Sequence, residues 1–212
     1  MSDLLSWDTH LFFLINNWRN PVFDKIMPLF SDFALVLPFI VVFLIWRFVR
    51  GSASERIMWL VLLAAVGCSD SLCSHVIKPL VARIRPDQAL NGVYLYKWKH
   101  WYVTNPVFRQ HLHISYSWPS CHASNIWTFT SFLLVRKRIA GLLMIPIAVL
   151  VCYSRIYLGV HYPLDVFSGA IIGSVIGSIA ALLSIYLSDY WSSINKFKKS
   201  GGKKYNDRQG SS

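Results

Sequence analysis

Charge is scarce in this chain. Only 15% of its 212 residues are Asp, Glu, Lys or Arg, while 54% are hydrophobic. Soluble domains carry roughly 25% charged residues, so an ordinary soluble protein is excluded for most of the length. Acidic side chains are scarcer still: 10 against 21 Lys and Arg, a formal charge of +11. Among so few carboxylates no acidic cluster stands ready for Mg²⁺ or Zn²⁺, and no metal or other cofactor is expected. Cysteine is confined to Cys68, Cys73, Cys121 and Cys152, with no Cys-x-x-Cys or Cys/His spacing. That excludes a disulfide framework and a zinc site. A basic leader with a small-residue cleavage site is also missing, so no removable signal peptide is expected. Aromatics, by contrast, are plentiful: 9 Trp, 10 Tyr and 13 Phe. They need apolar surroundings, which excludes disorder for most of the chain. The basic excess suits nucleic acid, anionic lipid or a polyanionic substrate.

The apolar residues fall into runs. The first 31 residues hold two short pieces broken by Asn16, Asn17, Arg19 and Pro21, then by Asp24, Lys25 and Pro28. Neither reaches the roughly 20 residues a spanning helix needs, so residues 1–31 read as amphipathic helices at the membrane surface. Five longer runs follow: Phe33–Val49, Ile57–Ile77, Ser120–Val135, Ile139–Tyr157 and Asp165–Leu187. The expected fold is all-α, an integral membrane bundle of about five spans over residues 32–195. Residues 196–212 read as a basic, flexible cytoplasmic tail. Arg47, Arg50 and Arg56, then Arg136, Lys137 and Arg138, then Lys196 to Arg208 share one face if five helices cross. The positive-inside rule makes that face cytoplasmic. Gly169, Gly173 and Gly177 put a stripe of small residues on the last run. It reads as close packing within the bundle rather than a dimer seam, and nothing else indicates an oligomer.

Polar groups at membrane depth are costly and mark function. Three clusters fall at the same end of the bundle. Lys78 and Arg85 are seven apart, two helical turns, with Pro79 suited to a first turn and Pro86 to a helix end. Pro119-Ser120-Cys121-His122 opens the third long run, where a helix amino terminus offers free N–H groups to an anion. Ser154-Arg155, Gly159, His161, Pro163 and Asp165 form the third cluster, with Asp165 placed to accept from the His161 imidazole. Three cations, a helix start, two histidines and a carboxylate suit a phosphoryl group. One histidine can attack in line, the other can protonate the leaving oxygen, and the cations can do a metal's work. Arg83 falls off the Lys78/Arg85 face and reads as a surface residue. Asp70 reads equally as functional or as a hydrogen-bonded packing group.

These residues resemble a known family. Lys-x6-Arg-Pro, Pro-Ser-x-His and Ser-Arg-x5-His-x3-Asp, present here as Lys78–Pro86, Pro119–His122 and Ser154–Asp165, are similar to the three signatures of the type-two phosphatidic acid phosphatase superfamily. The resemblance implies a helical membrane phosphatase with a metal-independent site facing away from the cytoplasm. It implies His161 as the nucleophile forming a phosphohistidine, Asp165 as its orienting carboxylate and His122 as the acid for the leaving group. It implies Lys78, Arg85, Ser120 and Arg155 as phosphate ligands, helped by the amides near Cys121 and His122. One departure stands out: Cys121 occupies a position that is usually Gly. A rival reading with Cys121 as nucleophile needs an Arg six residues on, where Trp127 stands.

The long loop, residues 79–119, mixes Tyr94, Tyr96, Trp98, Trp101 and Tyr102 with Lys97 and Lys99. Beside spanning helices it reads as an interfacial belt or a lid over an anionic headgroup, not a nucleic-acid surface. The expected partners are the bilayer and a lipid phosphate: lipid A, undecaprenyl pyrophosphate, or phosphatidic acid or phosphatidylglycerol phosphate. The motifs read phosphate alone, and the bulky loop favours the first two. A bacterial inner membrane is the expected location, with the site on the periplasmic or exterior face. A lipid-to-lipid phosphotransferase using the same site, and a non-enzymatic transporter or inactive relative, are the alternatives.

Overall fold

The computed structural model describes residues 2–110 and 112–209, with side chains for 5–32, 37–110 and 112–195. Helices dominate. Two short ones, α1 (Ser2–Asn16) and α2 (Pro21–Ser31), precede α3 (Phe33–Arg50) and α4 (Ala53–Ser71). A π-helical segment, Leu72–Ile77, leads directly into α5 (Lys78–Val81). The long loop holds α6 (Pro86–Ala89), an antiparallel hairpin of β1 (Tyr94–Lys97) and β2 (His100–Val103), and α7 (Pro106–Gln110). Then come α8 (Cys121–Arg136), α9 (Arg138–Tyr157) and α10 (Pro163–Gln209).

The predominantly helical membrane architecture is as expected. By length and composition, three helical stretches among the described residues can cross a membrane: Ala53–Val81, Arg138–Tyr157 and Pro163–Asn195. Their flanks carry large exposed apolar side chains, including Ile139, Leu143, Phe167 and Ile179, which suit contact with lipid. The small-residue stripe packs inside the bundle. A methyl added at Gly169, Gly173 or Gly177 would strike the backbone of Ser120, Ser124 or Thr128, so α10 and α8 run at near-backbone contact.

The carboxyl-terminal segment departs from the expected coil. The backbone stays helical to Gln209, across the stretch read as a flexible tail. No proline interrupts it, and the helix already in place needs no new nucleus to extend. Residues 210–212 lie outside the described residues.

The two ends of the bundle differ. At one end Ser52 and Glu55 form a capping box at the start of α4. Glu55 pairs with Arg47 at the end of α3 and with Lys137 at the α8–α9 junction, the latter at 3.3 Å. The basic links therefore meet at one end. At the other end, Asn16 stitches three elements. Its side-chain amide donates to the carbonyls of Tyr94 (2.9 Å) and Tyr157 (3.0 Å), and its oxygen accepts from the N–H of Tyr94 at 2.9 Å. Phe12 packs with Val93, Ala123, Ile156, Tyr162 and Val166 in the core below. The amino-terminal helix is thus built into the site end of the molecule.

Candidate active site

Helix ends deliver the candidate side chains. Ser120 is the N-cap of α8: its Oγ accepts from the N–H of Ala123 at 3.5 Å, and its own N–H donates to the Asp165 carbonyl at 2.9 Å. Cys121 and His122 follow on the first turn, where unbonded amides and the helix dipole favour an anion. Pro163 starts α10, its fixed φ suited to a first turn. Gly159 makes the preceding turn at φ +81°, where an added methyl would also meet the Tyr94 carbonyl. Only glycine meets both demands.

The first cluster is arranged differently from the expectation. Lys78 and Arg85 do not share a helix. The helix closes at Ala82, in the left-handed region at φ 50°, and Arg85 is extended at φ −67°, ψ 154°. Pro86 forces that extension on its predecessor and opens α6 rather than ending a helix. Arg85 is anchored by its Nε donating to the Tyr116 carbonyl at 3.3 Å. Lys78 gets its direction from the π-helical turn, whose extra residue rotates everything after it; the Lys78 N–H bonds to the Cys73 carbonyl, five residues back.

The predicted residues nevertheless converge. His161 is buried at 1% exposure, and Arg155, Arg85 and Lys78 all bear on it. Burial first, then these three cations, hold the His161 imidazole well below the usual histidine range. It is therefore neutral at neutral pH and has a free nitrogen lone pair. Its Nδ1 lies 3.6 Å from Asp165 Oδ2, just beyond hydrogen-bond range. The Ser117 backbone also hydrogen-bonds to this imidazole. His122 is exposed, and Arg155, His161, Lys78 and Arg85 all bear on it too. Arg155 Nε is buried without a hydrogen-bond partner, a donor that an anion can take up. The Cys121 thiol is buried and hydrogen-bonds to Cys73 and Lys78. It lies between α8 and the π-helical turn, beside Lys78.

Clustered cations beside a helix start can hold an anion. Residues 56–189 match the PAP2 superfamily. The chain belongs to the PAP2 superfamily. It is 30% identical over 169 residues to a lipid A 4'-phosphatase of Bacteroides thetaiotaomicron, covering 78% of this chain and 72% of that one. It is also 30% identical over 173 residues to an undecaprenyl-diphosphatase of Sulfolobus acidocaldarius, covering 80% and 74%. Among solved structures, LpxE of Aquifex aeolicus superposes with a TM-score of 0.58 at 29% identity, over 81% of this chain and 93% of that one. Its named PAP2 relatives are phosphatases acting on lipid phosphate and pyrophosphate esters.

Sequence reasoning missed several residues around this PAP2 site. Arg83, read as a surface residue, is mostly buried and paired with two carboxylates, Asp8 and Asp165. Asp8 carried no signal at all. Asp70 accepts from the Asn125 side-chain amide at 2.8 Å, which meets the hydrogen-bonded reading. The β1–β2 hairpin went unread because its turn residues, Trp98 and Lys99, adopt positive φ (51° and 66°) without the usual Asn or Gly.

Proposed function

We propose that this PAP2 membrane phosphatase hydrolyses a lipid phosphomonoester or pyrophosphate through a phosphohistidine on His161, without a metal. The observation that carries the reading is the convergence of Lys78, Arg85 and Arg155 on one buried neutral histidine and one exposed histidine. In the first step the imidazole lone pair of His161 forms the N–P bond as the P–O bond to the lipid breaks. His122 gives its proton to the departing oxygen. In the second, water attacks phosphorus, His122 takes the water's proton, the N–P bond breaks and phosphate leaves. Lys78, Arg85, Arg155, Ser120 and the amides at the start of α8 offset charge on the phosphoryl oxygens throughout. Asp165 favours the positive charge that His161 carries in the intermediate.

The substrate reading is a bulky lipid, lipid A or undecaprenyl pyrophosphate. The aromatic, basic loop supports it, as do the names of the relatives. The orientation reading is a site on the periplasmic or exterior side of a bacterial inner membrane. The Glu55 clasp supports it by bringing two basic links to one end, opposite the site. The test is phosphate release by the purified full chain in detergent from these lipids, with EDTA present. Release that survives EDTA and stops with vanadate is expected, since vanadate adopts the trigonal-bipyramidal shape of the transferring phosphoryl group. Strict dependence on added Mg²⁺ would overturn the metal-free mechanism. For orientation, an impermeant thiol reagent applied to intact cells should label Asn91→Cys and not Ser200→Cys; the reverse pattern would invert the assignment.

A further inference from the structure

Arg83 sits between two buried carboxylates on different elements. Its Nη1 donates to Asp165 Oδ1 at 2.7 Å and its Nη2 to Asp8 Oδ2 at 2.5 Å. Asp8 and Asp165 are 4% and 0% exposed. Asp8 Oδ1 also accepts from the N–H of Leu164 at 2.9 Å, on the first turn of α10. The guanidinium lies 4.0 Å from the centroid of the Tyr162 ring, and the Tyr162 N–H donates to Asp165 Oδ2 at 2.8 Å. Asp165 Oδ1 is thus held by Arg83 and Oδ2 by the Tyr162 amide on the side facing His161, and the Ser117 side chain also hydrogen-bonds to this carboxylate.

A guanidinium is planar and presents its donors in a rigid fork. Held at one nitrogen by Asp8, it fixes the plane of the carboxylate at the other. A buried carboxylate with no cation beside it takes up a proton, and a neutral acid cannot favour the charge that phosphorylated His161 carries. Asp8 lies in α1, outside the stretch 56–189 that matches the superfamily.

We propose that Asp8 and Arg83 are positioning residues for His161, acting through Asp165, so that the amino-terminal helix is part of the catalytic apparatus. The proposal rests on the reading of His161 as nucleophile. Neither Asp8 nor Arg83 touches substrate. Their work is to keep one carboxylate ionised and aimed at His161 Nδ1.

The test is steady-state kinetics of the purified full chain with Asp8→Asn, Arg83→Gln and Arg83→Lys, beside His161→Ala. Outer partners of metal-ligating side chains typically change activity by about 10–100-fold, and the same scale is expected for these partners of His161. Arg83→Gln should fall near the top of that range and Asp8→Asn near the bottom, both in kcat, with KM little changed. Arg83→Lys should lie between, because a single ammonium cannot bridge both carboxylates. In the Arg83 variants the acid limb of the kcat profile should move to higher pH, a shift that loss of packing alone would not give. Unchanged kcat and pH profile in Asp8→Asn and Arg83→Gln would overturn the proposal. So would a loss confined to KM, which would make Arg83 a phosphate ligand, or a lower melting temperature with full kcat per folded molecule. If Arg83→Gln fails to fold, the isosteric Asp8→Asn decides. Activity retained in His161→Ala would refute the nucleophile reading itself. A dead His161→Ala beside fully active Asp8→Asn and Arg83→Gln would refute only the positioning role.

Discussion

His161 and His122 meet the same three cations but differ in access to solvent. His161 lies in the turn between α9 and α10, 1% exposed, with Asp165 beside it. His122 stands exposed on the first turn of α8. An enclosed imidazole keeps one direction and stays unprotonated, which suits a nucleophile. A surface one is open to water, the access that the proposed leaving-group acid would need to regain its proton.

The largest effect should come from the enclosed side. His161→Ala should lower phosphate release by at least about a thousand-fold on every substrate, as loss of a nucleophile does. Near-normal turnover in the folded variant would break the comparison outright. His122→Ala should cost about 10²–10⁴-fold on a lipid whose leaving alkoxide needs a proton. With an aryl phosphate, whose leaving group departs unprotonated, much of that loss should vanish, while His161→Ala stays inactive. Equal losses in both variants on the aryl ester would show that the roles are not divided.

The pH dependence of stability sharpens the contrast. The folded state binds a proton on His161 more weakly than the unfolded chain, whose histidines titrate near pH 6.5. The stability this depression supports is full above that range and declines as pH falls below it, by up to about 1.4 kcal/mol per pH unit. The melting temperature in detergent should therefore drop from pH 7 to pH 5, and less steeply in His161→Gln. Equal slopes would place the acid sensitivity elsewhere. The smallest effect is expected from Cys121→Gly, which keeps the backbone amide at the helix start. It should retain activity to within about tenfold, given a helix cost near 1 kcal/mol for Gly. Total loss with the fold preserved would bring Cys121 back as a candidate nucleophile.

What the sequence made legible was local. Ser120 as a cap, Pro163 at a helix start and Gly159 in a turn each follow from one residue's own conformational limits. The close α8–α10 packing was legible too, because three glycines recur at the period of one helix face. The errors came where the outcome depends on distant partners. Arg83 was judged against an assumed helix through Arg85, yet its partners lie 75 and 82 residues away. The π-helical turn before Lys78 has no residue signature, since one extra residue per turn changes no side-chain preference. Pro86 was read as ending a helix because proline disrupts helix interiors; it opens one here, where its missing N–H costs nothing.

The bonds from Asn16 to Tyr94 have a consequence for solubility. A two-stranded hairpin has two open edges, and an open edge is a template on which another extended chain can add. Along β1 that template is largely taken: Asn16 occupies the N–H and carbonyl of Tyr94, and the Leu158 carbonyl occupies the N–H of Tyr96 at 3.1 Å. A side-chain amide at a helix end thus imitates a neighbouring strand. It lets a small sheet sit beside a membrane bundle with that edge largely closed to strand-by-strand association.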